Sequence, residues 1–188
     1  MKNKIWTFIL IIGIIIVLYP VISKVMSKEK QQKEIENYRN KVENLEDDNY
    51  IDFLKVGEVI GYIEIEKINV LLPIYEGSSD DVLAKGVGHI TKTDLPLGEK
   101  YTHSMLAGHT GYTKAKIFDD IDRLEINDKF FIHIMNNKTE YIVDEIKIVE
   151  ADYQEELYKE EDNAYVTLVT CTPQILNNKR LLIRGVKF

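Results

Sequence analysis

Residues 129–150 read KFFIHIMNNKTEYIVDEIKIVE, and this stretch sets the fold. Phe, Ile, Tyr and Val fit a pleated, half-buried surface, and in FFIHIM (130–135) they alternate, so that Phe130, Ile132 and Ile134 share one face and His133 falls on the other. Asn136-Asn137 interrupts the run before a second β-rich segment, which predicts a hairpin. Working outward, the same texture returns in VIGYIEI (59–65), INVLLPIY (68–75), THSMLAG (102–108), AYVTLVTC (164–171) and RLLIRGVKF (180–188), each bounded by turn-prone residues. Helical signals are few. Ser78-Ser79-Asp80-Asp81 predicts the capped start of a short helix before VLAKG, and IFDDIDRL (117–124) predicts another helical turn. Many short strands with small helical insertions predict a mainly β fold, a closed or nearly closed barrel.

Ahead of this region the texture is different. Ile5 to Ile22, IWTFILIIGIIIVLYPVI, carries no charge, and 18 residues of helix reach roughly 27 Å, close to the thickness of a bilayer's hydrocarbon core. That predicts one transmembrane helix. A cleaved signal peptide is the competing reading, but its apolar region is shorter, and no Ala precedes Ala84 to supply an Ala-x-Ala site. Lys2 and Lys4 before the span are balanced by Lys24, Lys28 and Lys30 after it, so flanking charge does not orient it. The short N-terminal flank and the acidic bulk beyond favour a domain facing outward. In residues 28–50 the apolar positions Ile35, Tyr38, Val42 and Leu45 recur at helical spacing, which predicts an amphipathic helical stalk. The expected organisation is a membrane anchor (1–27), a polar helical stalk (28–55) and a β-barrel domain (56–188).

Composition narrows the function. The 188 residues carry a net charge of −7, and beyond residue 27 there are 21 basic against 31 acidic side chains, the opposite of a nucleic-acid binder. A single Cys permits no internal disulfide and excludes Cys-rich zinc modules and thioredoxin-like pairs. Cys171 ends AYVTLVTC, on the face that also holds Tyr165, Thr167 and Val169, and Thr172-Pro173 stops the strand immediately after it. A strand-end thiol beside a loop is a candidate nucleophile; inert packing is the alternative, since free Cys is among the most buried residue types.

A thiol nucleophile needs a proton partner. Of the four histidines, His109 lies in LAGHTGY between two glycines at a strand end, His133 inside an alternating strand, His89 after GVG, and His103 on the strand leading to His109. His109 is the best placed. A zinc site of His103, His109 and Cys171 matches no common ligand spacing. Negative charge on a carbonyl oxygen under attack needs a cation or amide donors. Arg180 and Arg184, four apart on RLLIRG, are the candidates, the bland reading being surface ion pairs of little stability.

TLVTC (167–171), followed nine residues later by Arg180 in NKRLLIRG and preceded by THSMLAGHTG, resembles the sortase transpeptidases. IEKINVLLPIYEG (65–77), VLAKGVGHITKTDLP (82–96) and YVTLVTCTP (165–173) extend the likeness over about residues 57–188. The resemblance implies a sortase-type β-barrel and carries catalytic roles onto His109, Cys171 and Arg180, and substrate contacts onto Thr170 and Ala107. It implies a membrane-anchored enzyme with no cofactor and no metal that cleaves an LPXTG-like signal on surface proteins or pilins and transfers it to an amine. KINVLLPIY, GVGH, TCTP and RLLIRG are most similar to class C, the pilin-polymerising sortases, which implies a pilin lysine as acceptor. A housekeeping sortase using a peptidoglycan precursor is the alternative within the family, and a catalytically silent peptide-binding module the alternative outside it. The implied location is the envelope of a Gram-positive cell, with the barrel outside the membrane.

Overall fold

The computed structural model of the chain describes residues 2–44, 55–110, 117–153, 162–171 and 179–188. The side chain of Cys171, the Thr172-Pro173 break, the loop that follows it and the last part of the expected stalk lie outside the described residues.

Helix α1 (Lys2–Glu43) runs without interruption through the boundary expected near residue 27. Eight strands follow: β1 (Val59–Ile65), β2 (Val70–Glu76), β3 (Val87–His89), β4 (Thr102–Ala107), β5 (Lys129–Ile134), β6 (Asn137–Glu150), β7 (Ala164–Cys171) and β8 (Lys179–Lys187), with the short α2 (Asp80–Leu83) between β2 and β3. They close into a barrel in the order β1-β2-β3-β4-β7-β8-β6-β5. Pairing is parallel for β2 with β3 and β4 with β7, and antiparallel elsewhere. A 3-10 turn at Glu66–Ile68 joins β1 to β2, and another at Ile121–Arg123 falls within IFDDIDRL.

The alternation seen in sequence fills the barrel. Phe130, Ile132 and Ile134 of β5 point inward with Ile63, Tyr141, Val166, Leu168 and Ile183, all nearly inaccessible to water. Each such aliphatic or aromatic side chain stabilises the fold by roughly 1.5–3 kcal/mol relative to exposure. The hairpin between β5 and β6 turns one residue earlier than Asn136-Asn137. Ile134 pairs with Asn137, so Met135 and Asn136 form the turn, with Met135 in the left-handed region at φ 52°.

The apolar stripe of α1 does not stand free in solvent. Ile35, Tyr38 and Val42 are buried against Tyr62 on the outside of β1. The Tyr38 hydroxyl donates to the Ile60 carbonyl at 2.9 Å and accepts the Met135 N–H at 2.7 Å, and Arg39 lies over the Tyr62 ring at 4.6 Å. Farther toward the N-terminus, Trp6–Ile22 are exposed throughout, an apolar helix of membrane-spanning length.

Candidate active site

Strand direction brings the predicted residues to one rim. Strands β4 and β7 are parallel, with Ala107 opposite Val169, so continuing that register by two residues puts His109 level with Cys171. On the other side, Cys171 is opposite Arg180, the second residue of β8. The three positions therefore follow one another across neighbouring chains, which lie about 4.8 Å apart in a sheet.

The segment carrying His109 is tied on both sides. The Gly108 N–H donates to the Val169 carbonyl at 3.0 Å, the Thr170 hydroxyl donates to the Gly108 carbonyl at 2.7 Å, and the Phe118 N–H donates to the His109 carbonyl at 3.0 Å. A Cβ at Gly108 would lie 2.4 Å from the Phe118 ring, so only glycine lets the chain pass this close to the core. His109 itself is half-buried. Thr170, which the resemblance places against substrate, is 3% exposed, and its hydroxyl is engaged with Gly108. In this conformation it braces the backbone beneath His109. Ala107 is half-buried between Gly88 and Val169.

The two arginines of β8 differ. Arg180 is half-buried at the rim, and its Nη1 makes a long 3.5 Å contact to the Lys179 carbonyl. Arg184 is ion-paired, but its side chain is only 13% exposed, so the pair is not the surface contact of the bland reading. Its Nε and Nη2 donate to Asp144 at 3.1 and 2.7 Å, its Nη1 lies 3.1 Å from Glu145, and its guanidinium sits over the Tyr165 ring at 5.2 Å. Asp144 and Glu145 are consecutive and would face opposite sides of a regular strand. The register shift between Val143 and Glu145 is a bulge that turns both toward Arg184.

The remaining histidines are fixed in the scaffold. His89 is 2% exposed, its Nδ1 2.8 Å from Glu76 and its Nε2 donating to the Asp94 carbonyl at 3.0 Å. His103 is fully buried with Nε2 2.7 Å from the Thr167 hydroxyl. His133 projects outward as expected but is half-buried against β1: its ring stacks on Tyr62 at 4.2 Å and its Nε2 donates to Glu64 at 3.0 Å. Burial holds the His133 imidazole below its ordinary value, the nearby charges of Lys138 and Arg39 reinforce that, and the Glu64 contact opposes it. The Glu64 carboxyl is raised by burial but held below its usual range on balance by hydrogen bonds from His133 and Lys138. Among the described residues no three His, Cys, Asp or Glu side chains are grouped to hold a metal.

Sequence reasoning missed Thr170 as a brace and Phe118 as the wall behind Gly108. The only local signal was a glycine directly before the histidine.

A barrel of this topology with a histidine, a cysteine and an arginine position on one rim defines a known class. The sortase domain family matches residues 63–187. The X-ray structure of Clostridium perfringens sortase C with the C-terminal cell wall sorting motif is 39% identical with a TM-score of 0.75, covering 82% of this chain and 97% of that one. Sortase C1 from Streptococcus suis is 45% identical with a TM-score of 0.69, over 74% of this chain and 78% of that one. Sortase A of Bacillus anthracis is 29% identical over 128 residues, 68% of this chain and 59% of that protein, so the match spans less than two thirds of this curated relative. The chain belongs to the sortase family of cysteine transpeptidases, and its neighbours among solved structures are mostly class C sortases.

Proposed function

We propose that this protein is a membrane-anchored transpeptidase that cuts an LPXTG-like sorting signal between Thr and Gly and joins the Thr carbonyl to an amine, with a pilin lysine as acceptor. The observation that carries this reading is the register that brings His109, Cys171 and Arg180 to one rim of the barrel. The Cys171 thiolate attacks the Thr carbonyl, and Arg180 stabilises the negative oxygen or holds the substrate. As the intermediate collapses, the peptide C–N bond breaks and His109 protonates the departing amine, leaving a thioester on Cys171. The incoming amine attacks that thioester, His109 takes its proton, and the thiolate leaves. Ala107 is assigned to the substrate groove beside these residues, and no cofactor enters any step.

The class C likeness favours a pilin acceptor, and a relative captured with a cell wall sorting motif favours that type of substrate. The exposed apolar helix favours an anchor at residues 1–27, with the segment 28–55, helical as far as Glu43, linking it to a catalytic barrel (56–188) outside the membrane. The test is to incubate the detergent-solubilised full chain with LPXTG-type peptides and either a pilin-derived Lys peptide or an oligoglycine, then read the products by mass spectrometry. A branched Lys product supports the proposal. Preference for oligoglycine moves the enzyme to the housekeeping role, and carboxylate product alone makes it a hydrolase. A thiol that neither forms thioester nor alkylates faster than an exposed Cys in an unfolded peptide makes it a binding module.

A further inference from the structure

The direction of α1 relative to the barrel has a consequence for where the site works. Strand β1 ends, and β2 begins, at the 3-10 turn Glu66–Ile68. Following the pairings from β2 through β3 to β4, the end at which β2 begins is the end at which β4 and β7 finish and β8 begins. The turn and the candidate site thus share one rim. Met135 and Asn136 occupy the opposite rim, since the register of Tyr62 with His133 carries Met135 to the level of Ile60.

Helix α1 runs antiparallel to β1. Tyr38 bonds Ile60 at the far rim, whereas Lys24, Ser27, Lys28 and Gln32 flank the 3-10 turn across a cleft of about 760 Å³ that also takes in Lys67 and Arg123. The helix therefore passes the site's rim on its way toward the exposed apolar stretch. Gln31 is the first buried residue on the barrel, donating to the Lys85 carbonyl at 3.2 Å, and Ile22 ends the uncharged run. Gln31 is nine helical steps beyond Ile22, about 14 Å at 1.5 Å per residue.

We propose that the rim carrying His109, Cys171 and Arg180 faces the lipid surface, held at a fixed height of roughly 14 Å above the hydrocarbon by the unbroken helix. The partner surface is the bilayer itself, and the substrates it selects are those whose cleaved bond is presented close to the membrane. This rests on the anchor reading of residues 5–22 given above. Lys24, Lys28 and Lys30 lie on the helix between span and barrel, where anionic headgroups favour basic side chains.

The experiment uses the full chain in phosphatidylglycerol/phosphatidylcholine vesicles, with Cys171→Ser to remove the native thiol and one donor fluorophore placed at Glu66→Cys or at Asn136→Cys. Both positions are exposed, and about 20 Å of strand lies between their levels. Energy transfer to a headgroup-labelled acceptor lipid is expected to be several-fold stronger from position 66. A seven-residue helical insertion between Ser23 and Lys24 should lower transfer from both. With Cys171 restored, turnover of an LPXTG-type peptide tethered to lipid should peak at a short spacer, and the insertion should shift that peak by about 10 Å while turnover of the free peptide stays unchanged. Equal transfer from both positions, or stronger transfer from position 136, overturns the orientation while leaving the anchor reading intact. Failure of the chain to float with vesicles overturns the anchor reading and the inference with it. A tethered peptide indifferent to spacer length, with the free peptide cleaved normally, overturns the fixed height and leaves the enzyme assignment standing.

Discussion

Arg180 and Arg184 share one face of β8 four residues apart, yet they belong to different regions of the molecule. Arg184 lies against the barrel wall, where two carboxylates from the β6 bulge and the Tyr165 ring surround it. Arg180 lies at the rim, opposite Cys171 and next to the chain's departure from the sheet. Residue type and strand periodicity are the same in both; what differs is the neighbouring strand. A bulge one strand away makes one guanidinium part of the scaffold, and a strand end makes the other part of the candidate site.

The most severe way to break the rim side of that contrast is Cys171→Ala. Thioester formation, followed by intact-mass spectrometry, should vanish, while circular dichroism stays that of the parent. Turnover in this variant sinks the nucleophile assignment. Next, His109→Ala should lower transpeptidation roughly 100- to 10,000-fold, the usual loss on removing a general acid. A comparable loss in soluble, folded His133→Ala would show that rim position is not what matters.

The contrast itself is sharpened by paired substitutions. Arg180→Lys keeps charge but loses the planar fork, and one or two charge-assisted hydrogen bonds correspond to a drop in kcat/KM of about 10- to 100-fold with little change in melting temperature. Arg184→Lys should do the reverse. Losing the two-pronged contact to Asp144 destabilises by about 1–2 kcal/mol, several degrees of melting temperature, with turnover per folded molecule nearly intact. If Arg184→Lys cripples turnover and Arg180→Lys does not, the oxyanion role belongs to Arg184.

The smallest effect is a pH dependence of the scaffold. His133 is held below the 6.5 of a free imidazole, so the folded chain takes up this proton less readily than the unfolded chain. Its contribution is complete above pH 6.5 and is lost as pH falls through the lowered value. Glu64, held below 4.5, does not act in that window. Melting temperature should therefore decline modestly between pH 7 and 5.5, and His133→Gln should flatten that decline. An unchanged slope in the variant assigns the decline to other groups.

What the sequence disclosed follows from the range of the forces involved. Alternation within FFIHIM and AYVTLVTC located strands and their inward faces, because that information is local. The parallel pairing of β4 with β7 joins residues about 60 apart, and no local pattern records it. The stripe Ile35, Tyr38, Val42 was visible as helical, but its partner Tyr62 lies beyond the helix, so docking was not. The hairpin was placed one residue late, since Met135 is an unusual residue for a positive φ and its N–H is held by Tyr38. At the site, LAGH and TLVTC were legible through family resemblance, whereas the tie from Thr170 to Gly108 and the bulge behind Arg184 are products of the assembled barrel.

The Tyr38 hydroxyl stands where a rung of the barrel's ladder belongs. Tyr62 pairs with His133, so Ile60 and Met135 are the next partners two residues along, and the phenol oxygen takes the N–H of one while donating to the carbonyl of the other. The seam between β1 and β5 is therefore stitched by an atom from α1, which lies wholly outside the segment matched by family, 63–187. Anyone excising the catalytic unit at residue 56 removes that stitch and leaves two backbone groups facing across a gap, with Tyr62 stripped of its cover. An excision point ahead of Gln31 preserves both, and the minimal folding unit is correspondingly longer than its sequence signature.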